Sequence, residues 1–157
     1  MGMATLLIAL AVVATGLYAG FMLIFLTGVM PALGRLTDEQ FTAAMRRINE
    51  EVPRGVFVSV MLASVAFPAA ALAVPEDDRP GARWALLGAG LALVVLNHLV
   101  TVTGNIPLNN ALAASEQAGA ADREARAAFE TRWNRLHLVR TLLVTAGFAL
   151  VVSAALV

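Results

Sequence analysis

The stretch WALLGAGLALVVLNHLVTVTGN, Trp84 to Asn105, contains no Asp, Glu, Lys or Arg. A helix of that length crosses the roughly 30 Å hydrocarbon layer of a bilayer. Three other stretches share the property: Ala4 to Leu33, Gly55 to Val74, and Leu136 to Val157, the last interrupted only by His137 and Arg140. Across 157 residues, 59% hydrophobic and 14% charged, the balance is too apolar for an ordinary soluble domain. The expected fold class is all-α. One domain over residues 1–157 forms a four-transmembrane-helix bundle, with its core in the membrane. The first apolar run lacks a basic leader and is about twice the length of a signal-peptide core, so it reads as a retained helix.

The connections carry their own signals. In Gly34 to Arg54, Thr37 and Gln40 stand in capping-box spacing ahead of Phe41, Ala44, Met45, Ile48 and Val52. This predicts a short amphipathic helix, its apolar side on the bundle end or the membrane interface, with Arg46, Arg47, Glu50 and Glu51 facing water. Pro75 to Arg83 reads as a tight solvated loop. The third span should end near Gly104, because Pro107 disfavours helical geometry at Ile106. Asp122 is then placed to cap a helical extension running through Phe129 and Trp133 into the fourth span. No internal repeat stands out.

All eleven basic residues are arginine. The first and third connections hold Arg35, Arg46, Arg47, Arg54, Arg123, Arg126, Arg132 and Arg135, and the second only Arg79 and Arg83. The positive-inside rule predicts a plasma (inner) membrane protein with both termini outside and the two longer connections in the cytoplasm. No aromatic-rich basic stripe supports nucleic-acid binding. The absence of cysteine removes disulfides, thiolate metal sites and cysteine nucleophiles. Gly16 with Gly20, and Gly88 with Ala92, permit close helix contacts within one chain or in a homo-oligomer.

Polar side chains inside a membrane helix are costly and therefore candidates for function. Asn97, His98, Thr101 and Asn105 form one stripe on the third span. Trp133, His137 and Arg140 share a face at the start of the fourth. Consecutive spans are antiparallel, so the two stripes lie at the same depth. Met30 and Arg35 close the first span at that end, Arg54 and Phe57 open the second, and Asn109 follows the third. Together they predict a pocket for a hydrophobic, planar molecule bearing carbonyl or phenol oxygens. Each group also has a structural alternative: amides bridging helices, His98 bonding a carbonyl, Trp133 anchoring at the interface. His98 and His137 could ligate haem or copper, but two imidazoles without nearby Asp, Glu or Cys make a poor metal site, and no cofactor is expected.

The segments Asn105-Ile106-Pro107-Leu108-Asn109 and Trp133-x-x-x-His137-x-x-Arg140-Thr141 resemble the anthrone oxygenase-like family of small four-helix membrane proteins. Gly20 to Phe25, Val29-Met30-Pro31-Ala32-Leu33, and Met45 with Ile48-Asn49 extend the resemblance over nearly the whole chain. It implies oxidation of an anthrone-type aromatic polyketide by dioxygen, without a recognised flavin or metal. In that scheme His137, or else His98, is the base. Arg140 with Asn105 or Asn109 holds the enolate oxygen, and Trp133 stacks on the ring system. The alternative is a non-catalytic membrane protein that binds a lipid, quinone or haem in the same pocket. A small transporter is disfavoured because no Asp or Glu lies inside a span to couple protons.

Overall fold

In the computed structural model, described over residues 2–75 and 80–157, five helices follow in order. These are α1 (Met3–Leu33), α2 (Asp38–Glu51), α3 (Gly55–Ala73), α4 (Gly81–Gln117) and α5 (Asp122–Leu156). All but α2 are long and apolar enough to cross a membrane. The outward face of the bundle is greasy, with Val13, Leu17, Leu62, Val102 and Leu142 all exposed, while the inward face buries Thr15, Ser64, Asn97, His137 and Thr141. That inversion of a soluble protein's pattern is what lipid favours, since every buried polar group must then find a partner inside. The chain is an integral membrane protein. Most of the expected loop, at Glu76, Asp77, Asp78 and Arg79, lies outside the described residues.

At 1.5 Å per residue, α5 runs about 52 Å and α4 slightly more, well beyond one hydrocarbon layer. Their projecting ends pack with α2 into a helical cap around Phe41, Met45, Leu112, Phe129 and Trp133. The capping box at Thr37 and Gln40 forms as its spacing predicts, each side chain bonding the other's backbone N–H at 3.3 Å. Arg46 does not face water. It lies against α4, donating to Leu112 O and Ser115 Oγ, both at 3.1 Å, and stands 3.7 Å from Asp122. Asp122 is the first residue of α5 and not its cap; its carboxylate accepts from Thr42 Oγ1 at 2.6 Å. Arg126 fastens the start of α2, donating to Gly34 O, Leu36 O and Asp38 Oδ1 while stacking over the Phe41 ring.

Pro107 does not end α4. Residues Thr101–Asn105 open into one π-helical turn in which Ile106 N–H reaches Thr101 O, and the helix continues past the proline. The wider turn absorbs the clash and lost donor that the ring would impose on regular α geometry. Phe25–Val29 in α1 does the same ahead of Pro31. The two turns carry a repeat that few identities betray: Thr27-Gly28-Val29-Met30-Pro31 and Thr103-Gly104-Asn105-Ile106-Pro107. Counted from these prolines, Phe57 falls where Trp133 does, Met22 where His98 does, and Met61 where His137 does.

The backbones of α4 and α5 come close at Gly90 and Gly147, where a Cβ on either would meet the other's carbonyl oxygen at 3.0 Å. Gly20 and Gly88 face open space instead, whereas Gly16 packs on Phe148.

Candidate functional site

The two polar stripes do meet. Asn97 Nδ2 donates to Arg140 O at 2.6 Å, and its Oδ1 accepts from Tyr18 OH at 3.1 Å. Arg140 NH1 reaches Thr101 Oγ1 at 3.4 Å, and Asn105 Nδ2 reaches Trp133 O at the same distance. Trp133 Nε1 donates to Asn109 Oδ1 at 2.8 Å. On α5 the Trp133 and His137 rings stack at 4.8 Å, and the Arg140 guanidinium lies 5.2 Å from the indole.

Between this floor and the cap lies a cavity of about 330 Å³. Trp133, Arg140, Thr101 and Asn109 supply its polar wall, and Phe25, Phe57 and Met61 an apolar one. Phe25 and Thr101 occupy equivalent positions in the repeat, as do Phe57 and Trp133. The cavity is therefore lined by both helical hairpins; the spanning helices of the second carry polar groups, and Asn49 of α2 adds one from the cap. Ile48, Asn49, Val52 and Pro53 on and after α2 close it from above. Ile106 and Asn110, both exposed, mark its edge.

Some expected contributors stand elsewhere. Met30 is buried in the cap core and Arg35 is exposed. Asn97 and Asn105 lie between α4 and α5, behind the wall, and Asn105 Oδ1 is buried without a partner. His98 turns to α3, its Nε2 at 3.1 Å from Met61 O and its Nδ1 at 2.9 Å from Val94 O. His137 is buried behind the wall, with Nε2 at 3.1 Å from Met22 O and Nδ1 at 3.0 Å from Arg140 Nε. The residues not foreseen are Tyr18, Met22, Phe25, Met61 and Asn49. Asn49 had a signal: it stands one turn after Met45 on the apolar face of α2.

Neither imidazole suits a metal. All four ring nitrogens already face a carbonyl oxygen or a guanidinium donor. Among the described residues no three His, Asp or Glu side chains gather around one point. Ligation of haem or copper by His98 and His137 would have to break these contacts.

Arg140 is the one charged side chain among the described residues that line the cavity. It is 8% exposed, and no carboxylate among the described residues lies within ion-pair distance of it. A family model described as anthrone oxygenase matches residues 41–150, from the start of the α2 core to near the end of α5. The chain belongs to the anthrone oxygenase family. The match covers most of the cavity wall of this anthrone oxygenase-family protein and leaves out α1, which adds Met22 and Phe25. No curated protein and no solved structure matches the chain.

Proposed function

We propose that this membrane protein oxidises a flat, hydrophobic aromatic ketone of the anthrone type with dioxygen, in the cavity between the bundle and its cap. The observation that carries this reading is the buried Arg140 guanidinium. A cation without a counter-ion at that depth favours a ligand that brings, or can develop, negative charge.

The chemistry asks little of the protein. An activated ring methylene loses a proton, and the enolate that forms is an electron donor. Electron transfer to dioxygen and recombination of the radical pair give a peroxide anion, which takes back the proton to become a hydroperoxide and then sheds water to leave a ketone. In sum, one methylene and one dioxygen become one carbonyl and one water. The substrate supplies all the electrons, so no external reductant is needed.

Arg140 holds the enolate oxygen and thereby lowers the cost of losing the proton. Asn109 is anchored through Oδ1 to the indole, which leaves its amide nitrogen for a second hydrogen bond to that oxygen. Trp133, held by Asn109 and stacked on Phe129 and His137, offers its ring edge to the substrate. Among the described residues the wall carries no carboxylate and no unengaged imidazole nitrogen, so the proton passes to water at the exposed Asn110 edge and returns from there to the peroxide. In this reading His137 positions Arg140 and is not the base. The arginine asymmetry supports a cytoplasmic position for this end of the bundle, reached by substrate partitioning through the lipid.

The test is oxygen uptake and quinone formation from anthrone by the purified protein in detergent. Arg140→Leu should lower turnover at least about 100-fold, as loss of an oxyanion donor does, with Arg140→Lys between the two. The same wall without turnover would make a binding protein for a quinone or lipid. Tight anthraquinone binding with no oxygen uptake by the wild type would decide for that alternative.

A further inference from the structure

The inner face of α2 carries three polar side chains, and two are satisfied: Thr42 by Asp122 and Arg46 by Leu112 O and Ser115. The third is Asn49. Its amide nitrogen is buried with no partner, the side chain makes no hydrogen bond among the described residues, and it lines the cavity. Burying an amide without a partner costs free energy that an apolar residue at the same position would avoid. Its neighbours Ile48 and Val52 on that face are apolar, so packing alone gives no reason for an amide.

We infer that Asn49 is a ligand-contacting residue that hydrogen-bonds a second oxygen of the bound molecule, remote from the oxygen at Arg140. Arg140 lies on α5 two turns beyond Trp133 of the cap core, whereas Asn49 lies on α2 in the cap, and both line the same cavity. The ligand class that satisfies both is a fused aromatic with oxygens on opposite ring edges. Rotation of the amide exchanges its donor and acceptor, so a carbonyl or a phenol serves equally. This inference rests on the proposal that the cavity receives aromatic oxygen compounds.

The experiment compares anthrone, which has one oxygen, with anthraquinone, which has two on opposite edges. Binding is measured without oxygen by tryptophan fluorescence quenching on the wild type, Asn49→Leu and Asn49→Ala. Both variants should bind anthraquinone roughly 3- to 10-fold more weakly, the worth of one hydrogen bond, and bind anthrone within about twofold of wild type. Both should melt at or above the wild-type temperature, because an unpaired amide has been removed. Equal weakening for the two compounds, undiminished anthraquinone affinity, a lowered melting temperature, or no binding of either compound by the wild type would each overturn the assignment. Binding without oxidation would remove the proposed reaction and still leave the affinity comparison to decide Asn49.

Discussion

Arg140 donates through Nε to His137 Nδ1, one helical turn back on α5 and 3.0 Å away. A guanidinium has no lone pair to offer, so Nδ1 is the acceptor and carries no proton. Nε2 then holds the ring's hydrogen and donates it to Met22 O on α1 at 3.1 Å. One neutral imidazole thus spans α1 and α5 and sets the direction of the cation, in the way that partners of a histidine select its tautomer.

His137→Phe keeps a ring against Trp133 and removes both hydrogen bonds, leaving Arg140 Nε buried and unpaired while Met22 O keeps its bond from Phe25 N–H. An orphaned donor costs about 1–3 kcal/mol, so thermal unfolding in detergent should register a loss of about 2 kcal/mol. Turnover should fall through kcat, because Arg140 is no longer aimed. A variant that loses stability and keeps its full kcat would show that the imidazole props the helices apart and does nothing for the guanidinium.

Arg126 should govern the cap. Its guanidinium holds Gly34 O, Leu36 O and Asp38, which is where the chain leaves α1 and enters α2. Arg126→Leu should speed amide hydrogen exchange across residues 34–54 and raise KM, since α2 closes the cavity from above. Arg47→Ala serves as the control, because Arg47 is exposed and among the described residues pairs only with Glu50 on its own helix. Equal exchange rates in the two variants would mean that the cap is held by its apolar core alone.

The residues that were legible in advance are those whose partners lie in the same or the next helix. Four uncharged runs announce four spans, and the Thr37–Gln40 spacing announces the start of α2. Asn97, Thr101, Trp133 and Arg140 could be brought together because antiparallel neighbours put the end of one span beside the start of the next. What escaped depends on distant or non-periodic features. The fate of His137 is decided by a carbonyl on α1, and that of His98 by one on α3, neither of which has a side-chain signature. Pro107 reads locally as a stop, yet one extra residue in a π turn lets the helix continue and carry Asn109 to the indole. Tyr18 hides among apolar residues of the first span, although its hydroxyl completes the chain from Asn97 to Arg140. The hairpin repeat was hard to see because its two copies diverged, into Phe57 and Met61 in the first hairpin and Trp133 and His137 in the second, of which His137 lies behind the cavity wall.

The two arms of the second hairpin meet backbone to backbone where α4 crosses α5 at Gly90 and Gly147, and this contact makes a sharp prediction about small residues. An alanine at position 147 would put its Cβ 3.0 Å from Gly90 O and 3.1 Å from Val94 Cγ2. A backbone oxygen cannot swing aside as a side-chain tip can, so the helices must separate. Overpacking of this kind costs about 1–3 kcal/mol. Gly88→Ala, two residues away on α4, meets nothing within 4 Å and should gain about 0.5–1 kcal/mol by removing a flexible glycine from a helix interior. Melting temperatures in detergent should therefore move in opposite directions for Gly147→Ala and Gly88→Ala. Because Arg140 lies two turns from Gly147 on the same helix, the separation should also lower turnover in Gly147→Ala and leave it unchanged in Gly88→Ala. Matching melting temperatures for the two variants would mean that the helix crossing is looser than these distances state, and that the floor of the cavity is set by something other than glycine contact.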